Sequence, residues 1–277
     1  MQKNHTSNLV AMIIGLILII SIGGLAFFRL NKSQNTAKEI SEASKDTPIK
    51  NMQNATKIST SDLAKKILAH PENLSLIDVR DAADFSKEHL LDSQNIPLSV
   101  IVDAMSPLDK NNDYIIIDYD SSIESLALIV EALTNIGFKN ISYLDGGFTA
   151  WKLDFNSTIS AGDPDSFVDQ SKIKYIQTDK LKEMLETEDN LIILDVRKKN
   201  QFNEGHIKGA TNIYLEDLEK RRTEIPFNKK IILYDNDGLW AFKAGVRLFD
   251  MGLFNALILS DGLDNWKKKG FELIKGS

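Results

Sequence analysis

The stretch Asp195–Ile213 reads "DVRKKNQFNEGHIKGATNI", and Asp78–Ile96 reads "DVRDAADFSKEHLLDSQNI". In both, an apolar run ends on Asp-Val-Arg, a phenylalanine follows seven positions after the aspartate, and a histidine closes the segment. Asp78 to His89 and Asp195 to His206 are each 11 apart (89 − 78 and 206 − 195). One such segment is a strand leading into a turn; two with the same internal spacing make a duplication.

The duplication extends outward. "IIIDYDSSIESLALIVEALTNIGF" (Ile115–Phe138) matches "KIILYDNDGLWAFKAGVRLFDMGL" (Lys230–Leu253), and "LDGGFTAW" (Leu144–Trp151) matches "LSDGLDNW" (Leu259–Trp266). Tyr119 to Tyr234, Gly137 to Gly252 and Trp151 to Trp266 are each 115 apart, whereas Asp78 to Asp195 is 117. A period this long means tandem domains, because solenoid repeats run about 20–50 residues. Within the first copy, short apolar runs predict strands at Ser75–Val79, Tyr114–Asp118 and Ile141–Leu144. Helical spacing marks Leu63–Leu68 and Leu126–Ile136, the latter closed by Gly137. The second copy repeats this with strands at Leu191–Val196, Lys230–Leu233 and Ala256–Leu259 and a helix ending at Gly252. Continuous apolar strands alternating with amphipathic helices predict α/β domains, each with a parallel sheet covered on both faces.

Composition bounds the chemistry. The 277 residues carry a net charge of −6, which gives no electrostatic footprint for nucleic acid. The chain has no cysteine, so disulfides, thiolate metal sites and thiol nucleophiles are excluded.

The N-terminal part is different in kind. Leu9–Phe28, "LVAMIIGLILIISIGGLAFF", has no charged residue and the length of about 20 that a bilayer-spanning helix needs. Residues 1–30 are therefore expected to be a membrane anchor, with the lipid bilayer contacted through residues 9–28 and the protein a single-pass membrane protein. A cleaved signal peptide is the competing reading, with Gly24 and Ala26 as small residues near a cleavage site. Arg29, Lys32 and Lys38 after the run favour a cytoplasmic C-terminal part, while the short n-region with one lysine resembles an export anchor, so the orientation stays open. Residues 31–57, rich in Ser, Thr, Asn, Lys and Glu, are expected to form a polar stalk. Residues 58–156 and 172–277 are the two domains, joined by a short polar connection at Asp163–Ser171.

The ordered set (DVR, Phe, His, then strand–loop–helix, then DGG-x-x-x-W) resembles the rhodanese domain, and it occurs twice over about residues 57–277. The resemblance implies a three-layer α/β domain whose active loop follows the fourth strand. It also implies a cysteine at that strand tip to accept sulfur as a persulfide, and loop amides with an arginine near the loop end to hold the anionic substrate. Counted backward from the helix-ending glycine, the cysteine position falls on Asp120 and Asp235, and the arginine position on Ser125 and Trp240. The degenerate loops are Asp120, Ser121, Ser122, Ile123, Glu124 and Ser125, and Asp235, Asn236, Asp237, Gly238, Leu239 and Trp240. A carboxylate cannot store a sulfane sulfur, and these loops carry negative charge that repels thiosulfate.

Sharper readings of the same residues compete. "IILYDNDG" resembles the Asp-x-Asp-Gly signature of haloacid-dehalogenase-type phosphatases, but the downstream Lys and acidic pair have little chain left to occupy. Asp235 and Asp237 are possible hard-cation ligands, though two carboxylates in one loop are too few for a dedicated site. His89 and His206 read as structural turn residues, the Asp78–Arg80 and Asp195–Arg197 pairs as intradomain pairing, and Trp151 and Trp266 as core. The loop aspartates can also fill the amide nest themselves. Trp240 then either packs over the loop or stands exposed for a partner.

The expectation is a membrane-anchored, catalytically inactive tandem rhodanese-like protein that acts as a binding or scaffolding module, with a protein partner, no cofactor, no metal and no nucleic acid. The alternatives are an accessory role in sulfur relay and a different chemistry at the aspartates.

Overall fold

The computed structural model describes residues 55–69 and 72–276. The expected anchor at residues 9–28 and most of the expected stalk lie outside the described residues. Among the described residues no helix is long and apolar enough to cross a membrane.

The first domain contributes strands β1 (Ala55–Ile58), β2 (Leu74–Asp78), β3 (Glu88–His89), β4 (Ser93–Asn95), β5 (Asp113–Ile117), β6 (Ile141–Leu144) and β7 (Ile159–Ser160). The second contributes β8 (Tyr175–Ile176), β9 (Leu191–Asp195), β10 (Ala210–Asn212), β11 (Lys230–Tyr234) and β12 (Ala256–Leu259). Each domain has its own five-stranded parallel sheet, in the orders β1-β6-β5-β2-β4 and β10-β9-β11-β12-β8. No strand is shared between the two sheets.

Alternation along the strands builds the layers, because neighbouring side chains point to opposite faces. Ile77 and Ile116 face the helix Ile123–Asn135 through Leu126, Ile129 and Leu133. Leu76, Ile115 and Ile117 face the other way, onto Leu63, Phe148 and Trp151. The second domain repeats this. Ile231 and Leu233 pack on the helix Leu239–Asp250, and Ile232 and Tyr234 pack toward Leu263 and Trp266. Both tryptophans are core, as expected, and each indole N–H donates to a backbone carbonyl, Trp151 to Ser157 and Trp266 to Glu272.

Two boundaries differ from the sequence reading. Ala55–Lys57, placed in the stalk, belong to β1, where Thr56 and Lys57 register with Ser142 and Tyr143 of β6. An edge strand is held by backbone hydrogen bonds, so polar side chains do not prevent it. The first domain also runs past residue 156, since β7 pairs antiparallel with β3.

The domains meet through the connection between them. Ser160 N donates to Asp250 Oδ2 at 3.0 Å, and Lys172 Nζ bridges Asp169 Oδ1 (2.9 Å) and Asp250 Oδ1 (2.8 Å). His89 to Glu219 and Asp92 to Arg222 add two further cross-domain pairs.

Candidate functional site

At the carboxyl end of each central strand the chain turns sharply into a helix. In the second domain this is Asp235–Gly238, between β11 and the helix Leu239–Asp250. A third element closes on the turn: Leu263 N and Asp264 N donate to Asp235 O (2.8 Å) and Asn236 O (3.0 Å). The approach requires Gly262, with φ +53°, because a Cβ there would lie 2.5 Å from Asn236 O. Gly147, with φ +58°, does the same in the first domain, where Phe148 N and Thr149 N reach Asp118 O (2.8 Å) and Tyr119 O (2.9 Å). The second glycine of the DGG motif and its counterpart are therefore contact points on the loop.

The Asp235 carboxylate is 3% exposed and turned back onto its own loop. Oδ1 accepts from Gly238 N at 2.6 Å and Oδ2 from Trp240 N at 2.8 Å. The Gly238 and Trp240 amides thus hold a carboxylate supplied by the chain. Burial pushes the Asp235 carboxyl up to about 6, against the two amide bonds that favour ionisation and with Asp237 adding to the rise. Asp237 is exposed and accepts from Leu239 N at 3.0 Å. Among the described residues no group of three or more His, Asp or Glu side chains is placed to hold a metal ion. Asn236 accepts from Arg197 Nη1 at 3.1 Å, and that arginine is itself forked onto Asp195, with Nη2 to Oδ2 at 2.6 Å.

Trp240 packs down. Its ring is half-buried against the second core, 5.7 Å from the Tyr214 ring. Leu239, beside it, is exposed.

The first domain corrects the expected register. Val79 N bonds Ile117 O as Val196 N bonds Tyr234 O, and Phe148 N bonds Asp118 O as Leu263 N bonds Asp235 O. The residue matching Asp235 is therefore Asp118, not Asp120. Asp118 is 6% exposed and Oδ1 accepts from Ser121 N at 2.9 Å, while Asp120 is exposed. Burial raises the Asp118 carboxyl as well, opposed by the Ser121 amide. The two extra residues of the first copy lie in this loop and in the longer helix after it, so counting backward from Gly137 stops two residues short. Ser121, with φ +62°, stands where the second copy has Gly238, with φ +99°. Ser122 is the residue before the helix that begins at Ile123, so Ile123, Glu124 and Ser125 form its first turn. The signal for Asp118 was present in the sequence: the apolar run stops at Ile117, 39 residues after Asp78, as Tyr234 stops 39 after Asp195.

The remaining candidates are structural. Arg80 and Arg197 bind Asp78 and Asp195 and also donate to Glu88 O and Gly205 O. His89 and His206 place Nδ1 on Phe85 O and Phe202 O and stack on those phenylalanines, centroids 4.1 and 3.7 Å apart.

Residues 60–154 and 177–269 each match the rhodanese-like domain. The chain is 35% identical over 77 residues to the uncharacterized protein YqhL of Bacillus subtilis, a stretch covering 28% of this chain and 61% of that protein. It is 27% identical over 96 residues to the thiosulfate sulfurtransferase GlpE of Shewanella oneidensis, covering 35% of this chain and 94% of that one. Among solved structures, the thiosulfate sulfurtransferase of Pseudomonas aeruginosa superposes with a TM-score of 0.41 at 19% identity, covering 80% of this chain and 44% of that one. With two matched segments that together span more than half of its length, the chain belongs to the rhodanese-like domain family, carrying that domain in tandem.

Proposed function

We propose that this protein is a catalytically inactive member of the family that works as a binding or scaffolding module. The observation that carries the reading is the Asp235 carboxylate on the Gly238 and Trp240 amides. A loop whose Gly238 and Trp240 amides hold a buried side chain does not offer those two donors to an anionic substrate, and a chain without cysteine has no thiolate to carry sulfur. The test is transfer of sulfur from thiosulfate to cyanide by the full chain, after removal of contaminating enzyme. No turnover is expected, and sustained turnover overturns the reading.

A second reading, an accessory that docks a sulfur-carrying partner without being sulfurated itself, is supported by the sulfurtransferases among its relatives. The two separate if labelled sulfur on a partner protein is protected or redirected only when this chain is present. We also propose that residues 9–28 anchor the protein in a bilayer, on the strength of their uncharged run. Release of the full chain from membranes by carbonate or high salt would defeat the anchor.

A further inference from the structure

The tandem provides its own control. Both copies build the same five-stranded sheet, so a residue present in both answers to the fold, and a residue present in one is not required by it. Asp78/Asp195, Arg80/Arg197, His89/His206 and Asn95/Asn212 agree. The rim beside the strand-tip loop does not.

In the second domain that rim encloses a cleft of about 580 Å³ lined by Lys198, Lys199, Asn212, Tyr214, Asp217 and Arg221. The segment Leu98–Val100 corresponds to Leu215–Asp217 and the helix Ala82–Lys87 to Lys199–Glu204, both at an offset of 117. At that offset Lys198, Lys199, Tyr214 and Arg221 are replaced in the first domain by Asp81, Ala82, Pro97 and Ala104. The fold forms without any of these cations. Yet Lys198, Lys199 and Arg221 gather there, against Asp217 in the lining and Glu224 paired with Arg221, in a chain of net −6. Lys198 and Lys199 are exposed, and neither forms an ion pair among the described residues. Arg221 is held in place, with Nη1 donating to Asn212 O at 3.1 Å and its other edge on Glu224. Tyr214, backed by Trp240, supplies an aromatic wall.

We infer that this cleft docks an acidic polypeptide segment, with Lys198 and Lys199 as the main charge partners. The inference names the partner chemistry of the binding module proposed above and rests on that reading. A single oxyanion is a poor match: the Gly238 and Trp240 amides at this end of the sheet are bonded to Asp235, and none of the lining residues is a buried polar donor. Cations on separate segments around a wide opening suit several carboxylates spaced along a chain. Such rim charges govern encounter and specificity more than depth of binding.

The test uses the full chain and a fluorescein-labelled oligo-glutamate peptide, followed by fluorescence anisotropy at rising salt. The comparison variant is Lys198→Asp/Lys199→Ala, which installs the residues the first domain carries on the same backbone and is checked for folding by circular dichroism. Binding to the unmodified chain that weakens with salt and drops by about tenfold in the variant is the expected result. Equal binding by the variant, or no binding at all, overturns the proposal. So does a DNA oligonucleotide that binds as tightly as the peptide, or salt-sensitive self-association in place of peptide binding. Sulfur-transfer turnover would defeat the module reading and leave the peptide result standing, so the two failures are separable.

Discussion

His89 Nε2 of the first domain lies 3.0 Å from Glu219 Oε2 of the second, while His89 Nδ1 lies 2.9 Å from Phe85 O. Both ring nitrogens thus face oxygen partners, one in each domain. His206 repeats the Nδ1 bond to Phe202 O within its own domain. The shared bond serves the fold, and the Glu219 contact joins the domains. Burial pushes the Glu219 carboxyl up, but the His89 hydrogen bond, with Arg247 and Arg222 near, holds it below its usual range.

Glu219→Gln is therefore expected to destabilise the protein by about 1–3 kcal/mol at neutral pH, as a partly buried charge-assisted bond is lost. The sign with pH follows from the lowered value. The stabilisation is fully present above the ordinary glutamate pKa of about 4.3 and disappears as pH falls through the folded value. Urea titrations on both sides of that window should show a shallower acid limb for Glu219→Gln; parallel limbs would refute the assignment.

Three alanine substitutions test the register of the loops. Asp235→Ala strands the Gly238 and Trp240 amides and should cost about 1–2 kcal/mol, comparable to losing a helix N-cap. Asp118→Ala, which removes the acceptor of the Ser121 amide, should cost about 1 kcal/mol. Asp120→Ala, on an exposed side chain, should stay within about 0.5 kcal/mol. Denaturant midpoints rank them directly, and a larger loss at Asp120 than at Asp118 would restore the backward-counted register.

Asp235 also sets a pH dependence of opposite sign. Its folded value is raised from 3.8 to about 6, so the folded state binds the extra proton between those values. That contribution is fully present below the unfolded value and is lost as pH rises through the folded one. The stability difference between the unmodified chain and Asp235→Asn should therefore shrink across this window. A difference that grows with pH would show the amide bonds outweighing burial.

Gly262→Ala forces a Cβ to within 2.5 Å of Asn236 O at a positive φ. The expected loss is about 2 kcal/mol or more, with the Asp235 loop displaced. Gly252→Ala is the comparison, since φ there is also positive but no heavy atom lies within 4 Å of the new carbon. Equal losses at the two sites would mean that backbone strain, rather than the loop contact, decides the cost.

Chemistry can be restored in steps. Asp235→Cys places a thiol on the Gly238 and Trp240 amides, which lower its pKa, yet activity toward thiosulfate should remain poor because Trp240 packs on Tyr214 and supplies no cation. Adding Trp240→Arg should raise turnover, since a guanidinium grips the donor's oxygens. Asp120→Cys should stay inert. A folded double variant without activity would show that the loop geometry, and not only its side chains, has departed from an active one.

Much of the fold was legible because duplication makes pattern redundant. The spacing from Asp78 to His89 and from Asp195 to His206, each 11, locates two strand–turn units without reference to packing. Ile115–Ile117 and Ile231–Leu233 are apolar at every position because helices cover both faces of each sheet. β1, β3, β4, β7, β8 and β10 were not legible, since edge strands are held by backbone hydrogen bonds that polar side chains neither promote nor reveal.

The sequence by itself determined the tandem α/β architecture, the lack of any thiol, and a carboxylate beside each strand-tip turn. Only the tertiary structure decided which carboxylate. Asp118 and Asp120 are two residues apart and chemically identical; one is buried on an amide and the other exposed, because the loop bends at Ser121. It alone also showed that Asp235 faces its own amides, that Trp240 lies on Tyr214, and that Lys198, Lys199 and Arg221 ring one cleft. Periodicity encodes which face of an element is buried. The direction of a loop side chain and the meeting of segments distant in sequence are set by close packing of the whole domain.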